Sequence, residues 1–108
     1  MEERKKIKVI LKRVKDKYGK EIEIPDTLEK LQELVGGYIE AMTLRPGLVA
    51  IFNEEGRLRG MNYNCRIDGV PIVGPVLIAG ADEEGSLQDC PISISEWIER
   101  WMSNSATA

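Results

Sequence analysis

The chain has 108 residues, 43% hydrophobic and 31% charged, with a formal net charge of −3 and no histidine. That length suits a single domain, spanning 1–108, with one sizeable core. The missing imidazole excludes a histidine general base, a Cys–His nucleophile pair and ordinary Cys/His zinc sites. No run approaches the roughly 18 apolar residues of a membrane span, and the opening MEERKK lacks the apolar stretch of a secretory leader, so a cytoplasmic protein is expected.

Residues 1–20 hold nine Lys/Arg against three Asp/Glu, whereas 21–108 hold six against fifteen. Such asymmetry fits either a basic arm for nucleic acid or an edge strand guarded by lysines. The basic residues alternate with aliphatics and the overall balance is acidic, which favours the guarded edge and disfavours nucleic acid. Within 5–15, Ile7, Val9 and Leu11 alternate as in a strand, while Ile7, Ile10, Leu11 and Val14 fit a helix. The β-branched content tips the reading to strand. A turn at 15–20 and the alternating Glu21–Ile24 complete a hairpin, which Pro25 ends.

Asp26 to Leu44 reads as a capped helix, a glycine stop and a strand. Leu28, Leu31, Leu34 and Val35 make one apolar stripe. Asp26 and Glu29 have capping-box spacing, and Gly36-Gly37 supplies the left-handed residue that ends many helices. Tyr38 and Glu40 share one side of the following strand, and the favoured reading turns that side to the core. Arg45-Pro46-Gly47 is a turn, Leu48–Phe52 a short buried strand, and 53–56 a second turn.

Gly60–Arg66 shows no period, although a short extra strand near 57–66 remains open. Irregular polar stretches on a rigid frame often carry function. Asp68-Gly69 is a turn before the apolar 70–79, where Pro71 and Pro75 restrict the regular strand to 75–79, with a bend at Gly74. Asp82, Glu83 and Glu84 form a solvated hairpin tip without the ligand alternation of a calcium loop. Ser93 and Glu96 again have capping-box spacing. Ile94, Trp97, Ile98, Trp101 and Met102 then form one broad apolar face, which either closes the core or, less favoured, meets a partner or second copy. Residues 102–108 are expected to fray.

Cys65 and Cys90 are read as reduced, semi-buried thiols. The sequence has no phosphate-binding glycine loop, nucleophile elbow, HExxH or EF-hand, so no metal, cofactor or catalytic residue is expected.

The segments TLEKLQELVGGYIEAMTL, LVAIFNEEGRLRGMNYNCRI and IVGPVLIAG carry a resemblance. Their key features are Leu28 to Leu34 before Gly36-Gly37-Tyr38-Ile39-Glu40, and Asn53-Glu54-Glu55-Gly56 with Leu58 and Gly60. Asn64, Arg66 and Val73-Gly74-Pro75 follow. Over about residues 5–88 the chain resembles the domain of unknown function 3846 family, whose members look like accessory proteins of phages, plasmids and other mobile elements. Members often carry a proline where this chain has Met61-Asn62-Tyr63. The resemblance brings no established activity or catalytic residues.

These readings combine into an α+β fold: a twisted, mainly antiparallel sheet of five or six strands with two helices, in the order β-β-α-β-β-β-α. The expected function is a non-enzymatic accessory protein of a phage or mobile element. It would bind a host protein or sequester a small polar or anionic molecule, in keeping with counter-defence. Arg57, Arg59, Asn62, Tyr63, Asn64 and Arg66 are the expected ligand cluster, because arginine forks and amides suit phosphate and carboxylate. Trp97, Ile98, Trp101 and Met102 are the expected contacts if the protein instead self-associates.

Overall fold

A computed structural model describes residues 5–103. It is an α+β fold with eight strands: β1 Lys6–Lys12, β2 Lys20–Pro25, β3 Ile39–Arg45, β4 Leu48–Asn53, β5 Tyr63–Ile67, β6 Val70–Val73, β7 Val76–Ala81 and β8 Leu87–Gln88. Helix α1 spans Leu28–Val35, and helix α2, Ile94–Trp97, passes into a π-helical turn at Ile98–Met102. Six strands form one antiparallel sheet in the order β2-β1-β7-β4-β3, with β8 also pairing β7. The remaining two, β5 and β6, form a separate hairpin.

The basic N-terminal strand is therefore not an edge. It lies between β2 and β7, and this explains why its sequence fits two periods at once. Ile7, Val9 and Leu11 join a core with Leu31 and Val35 of α1, Ile51, Leu77 and Ala79. Ile10, on the opposite face, joins Ala50, Val76, Ile78, Cys65, Ile67, Ile72 and Trp97. The register agrees: Ile10 pairs with Ile78 and Ile78 with Ala50, while Leu11 pairs with Leu77 and Leu77 with Ile51. A strand covered on both faces loses clean alternation. One face is packed by α1, the other by the β5–β6 hairpin and the C-terminal helix.

Helix α1 starts one residue later than its spacing suggested. Thr27 is the cap, its Oγ1 accepting from the Lys30 amide at 3.1 Å. Asp26 is already committed, because its amide donates to the Lys5 carbonyl and extends the β1–β2 ladder. The glycine stop is as expected: Gly36 has φ +84° and its amide donates to Gln32 O at 2.8 Å, a conformation that suits glycine.

Two stretches read as irregular are strands. Tyr63–Ile67 pairs with Val70–Val73, so Pro71, which cannot donate to a ladder, sits in a two-stranded ribbon where one side needs no donor. Ser93 caps α2 as expected, accepting from Glu96 N at 3.1 Å. Of the tail expected to fray, Met102 is buried and Ser103 still helical; residues 104–108 lie outside the described residues. Among the described residues no helix is long and apolar enough to cross a membrane.

Candidate functional site

The six residues expected to form one ligand cluster are dispersed. Arg57 donates to Pro71 O and borders a depression of about 120 Å³ with Glu40, Phe52 and Glu54. Arg59 donates to Gly36 O at 2.7 Å and lies across the end of α1, in a separate depression of about 210 Å³ with Gln32, Tyr38 and Glu55. Arg66 donates to Gly69 O within its own hairpin. Asn62 is exposed and, like Arg66, lines none of these hollows. Only Tyr63 and Asn64 share a cleft, of about 250 Å³, whose other walls are Lys12, Val14, Asp16, Lys17, Cys65 and Met102. Arg57, Arg59 and Asn62 lie in the loop between β4 and β5, and only Tyr63, Asn64 and Arg66 belong to β5 itself.

The alternative contact set is also relocated. Trp97, Trp101 and Met102 are buried and Ile98 is half-buried against the same core. Trp97 Nε1 donates to Tyr18 O at 2.8 Å and Trp101 Nε1 to Asp68 Oδ1 at 2.9 Å. The two rings stack 5.7 Å apart. These side chains tie the helix to the β1–β2 and β5–β6 turns and offer little surface to a partner. Tyr38 and Glu40, read as core-facing, are instead exposed; Tyr38 immediately precedes β3 and Glu40 lies on it, at one edge of the sheet.

The cleft is organised by Lys12, which is only 4% exposed. It pairs with Val76 at the end of β1 and shares a face with Ile10, an apolar position in every other respect. Its Nζ donates to Asn64 Oδ1 at 2.6 Å. The Asn64 amide nitrogen donates to Lys12 O at 2.9 Å and Gly74 O at 2.8 Å. With both amide hydrogens engaged, the amide oxygen must face the lysine. Among the described residues no carboxylate lies within ion-pair distance of Lys12. Burial lowers its pKa below the ordinary 10.5, against the smaller opposing pull of Cys65 and Asp16.

Cys65, 4% exposed, stands beside it. Burial pushes its thiol up from 9.0 to about 11, with Lys12 acting weakly in the other direction. The two groups oppose one another in alkali. The folded chain holds the Cys65 proton more tightly than the unfolded chain, so that contribution is full below pH 9.0 and is lost as pH rises through about 11. For Lys12 the unfolded chain holds the proton more tightly, so its cost at neutral pH is relieved as pH climbs towards 10.5. At pH 8 the thiolate fraction of Cys65 falls roughly a hundredfold below that of a free thiol. Iodoacetamide should therefore leave Cys65 unmodified in the folded protein under conditions that fully alkylate the urea-unfolded chain. Peptide mass mapping checks this, and equal rates in both states would contradict the buried-thiol geometry. Both cysteines are free, as expected, and no group of three or more potential metal ligands occurs among the described residues.

Sequence reasoning missed Lys12 and Cys65. The available signal was parity: Lys12 is two residues from Ile10 and so on its face. Lys8 shares that parity and is exposed, so parity alone could not separate them.

Over 52 residues the chain is 52% identical to an A-type ATP synthase subunit from Pyrococcus abyssi (strain GE5 / Orsay). The match covers 46% of this chain and 5% of that protein's length. No solved structure matches. A family model does match, over residues 7–102, nearly the whole described fold, and the chain belongs to that family, described as Domain of unknown function (DUF3846).

Proposed function

We propose that the protein is a non-enzymatic binding protein, an accessory of a phage or mobile element, that sequesters a small anionic molecule in the Lys12–Asn64 cleft. The observation that carries the reading is a buried amine with no ion-pair partner among the described residues, facing a cleft whose walls also include Lys17 and Asp16. A buried cation without a counter-ion is costly, and an anion entering the cleft relieves that cost. The volume of about 250 Å³ lies below the usual range for drug-sized ligands, which points to a compact anion.

Thermal denaturation in the presence of inorganic phosphate, citrate and nucleoside monophosphates tests this. A ligand at a hundred times its Kd should add about 2.7 kcal/mol, on the order of a 10 °C rise in Tm for a domain of this size. The rise should vanish in Lys12→Met, which keeps the apolar stem and removes the charge. Absence of stabilisation by every anion tried would overturn the proposal.

A further inference from the structure

We infer that Lys12 is a carbonyl-capturing amine: the cleft admits a small oxo acid whose carbonyl carbon bonds to Nζ while its carboxylate lies towards Lys17. The inference rests on reading the cleft as a small-molecule site and goes further by naming a covalent bond. Three features of the geometry support it. Nζ is held by one hydrogen bond, to an amide oxygen whose own orientation is locked, so the amine is positioned without being consumed. Among the described residues no acidic side chain lies within ion-pair distance to keep it as a tightly paired ammonium. Val14, Cys65 and Met102 give the cleft an apolar wall beside its polar residues Asp16, Lys17 and Asn64. Desolvation disfavours the ammonium and leaves more free amine near neutral pH.

The step balances without a further reactant. The ammonium releases one proton to water, and the nitrogen lone pair attacks the carbonyl carbon to give a carbinolamine. Proton uptake and loss of the former carbonyl oxygen as water then leave a protonated imine. Overall, one ammonium and one carbonyl become one iminium and one water. Lysine desolvated in an apolar pocket is a recurrent Schiff-base nucleophile. Asp16, also on the cleft wall, is a side chain able to pass protons.

The test uses the full chain with glyoxylate and, separately, propanal as a carbonyl compound lacking the carboxylate, each reduced with sodium cyanoborohydride and mapped by peptide mass. The expected result is modification concentrated at Lys12 over exposed lysines such as Lys5, Lys6 and Lys8, since desolvation leaves more of its amine unprotonated. Glyoxylate should exceed propanal, and Lys12→Met should lose the preferred adduct. Labelling spread over exposed lysines with Lys12 unmodified, or no adduct at all, overturns the inference. Mapping on the unaltered chain decides the matter even if the variant fails to fold. Anion stabilisation without an adduct sinks covalent capture alone. An adduct at Lys12 with propanal, without any stabilisation by anions, sinks anion sequestration and leaves capture standing.

Discussion

Replacing Trp97 by alanine should cost about 3–5 kcal/mol of stability, on the order of a 15 °C loss in Tm. Trp97 has no exposed surface and fills the centre of the core between the sheet and the C-terminal helix. Its removal leaves a cavity in the core it shares with Ile10, Val76 and Ile78, forfeits the stacking on Trp101 and strips the Tyr18 carbonyl of its indole donor. Typical domains are stable by only 5–15 kcal/mol, so the loss is a large share of the total. Trp97→Phe restores much of the volume but not the hydrogen bond, and should retain a deficit of about 1–3 kcal/mol. Circular dichroism melts of the two variants check both figures. A Trp97→Ala melt within 3 °C of the parent, well inside the shift expected for 1 kcal/mol, would show that the side chain is not part of the core.

The second large effect is expected at Gly80, for a different reason. Gly80 lies in β7 opposite Gln88, and its backbone is not in the left-handed region, so alanine meets no dihedral obstacle. The obstacle is steric. A Cβ there would collide with the carbonyl oxygen of Asp89 and come within 3.3 Å of Gln88 Cβ. Those atoms are backbone or rigidly attached, so the collision is relieved only by pushing β8 away. Asp89 accepts from the Lys8 amide, and the Cys90 amide donates to the Lys8 carbonyl, and both bonds go with it. Gly80→Ala should cost about 3 kcal/mol, at the upper end for overpacking. Hydrogen exchange at the Lys8 and Cys90 amides should accelerate before the rest of the sheet responds. Urea denaturation gives the first quantity and exchange the second. Unchanged protection at those two amides would refute the collision.

Much of the architecture was legible because it depends on local rules. The α1 stripe, the Gly36 stop, the Ser93 cap and the Arg45-Pro46-Gly47 turn are each written within a few residues. Errors arose where a distant partner decided the outcome. Asp26 lost the cap to Thr27 because Lys5, more than twenty residues away, claimed its amide. Whether β1 was an edge depended on β7, which only the assembled sheet reveals. The β5–β6 hairpin was hidden because Asn62, Asn64 and Pro71 read as breakers, although Asn64 is a joint between the hairpin and β1. The candidate site followed the same logic. Six polar residues close in sequence were divided between the 54–62 loop and β5, and the cleft was assembled from 12–17, 63–65 and 102. Nothing in the local sequence marks Lys12 as the lysine that would be buried.

The position of β7 has a kinetic consequence. The β1–β2 and β3–β4 hairpins are local and can close as soon as their residues are made, but each has an inner edge that pairs with β7. Until residues 76–81 arrive, the growing chain carries two unpaired, aliphatic strand borders, those of β1 and β4. Pairings of such wide sequence separation are slow to form because loop entropy must be overcome first. The acquisition of the sheet is therefore a single late event, in which one strand joins two waiting halves. During synthesis, the interval before it is when the chain is most open to joining strands of another molecule.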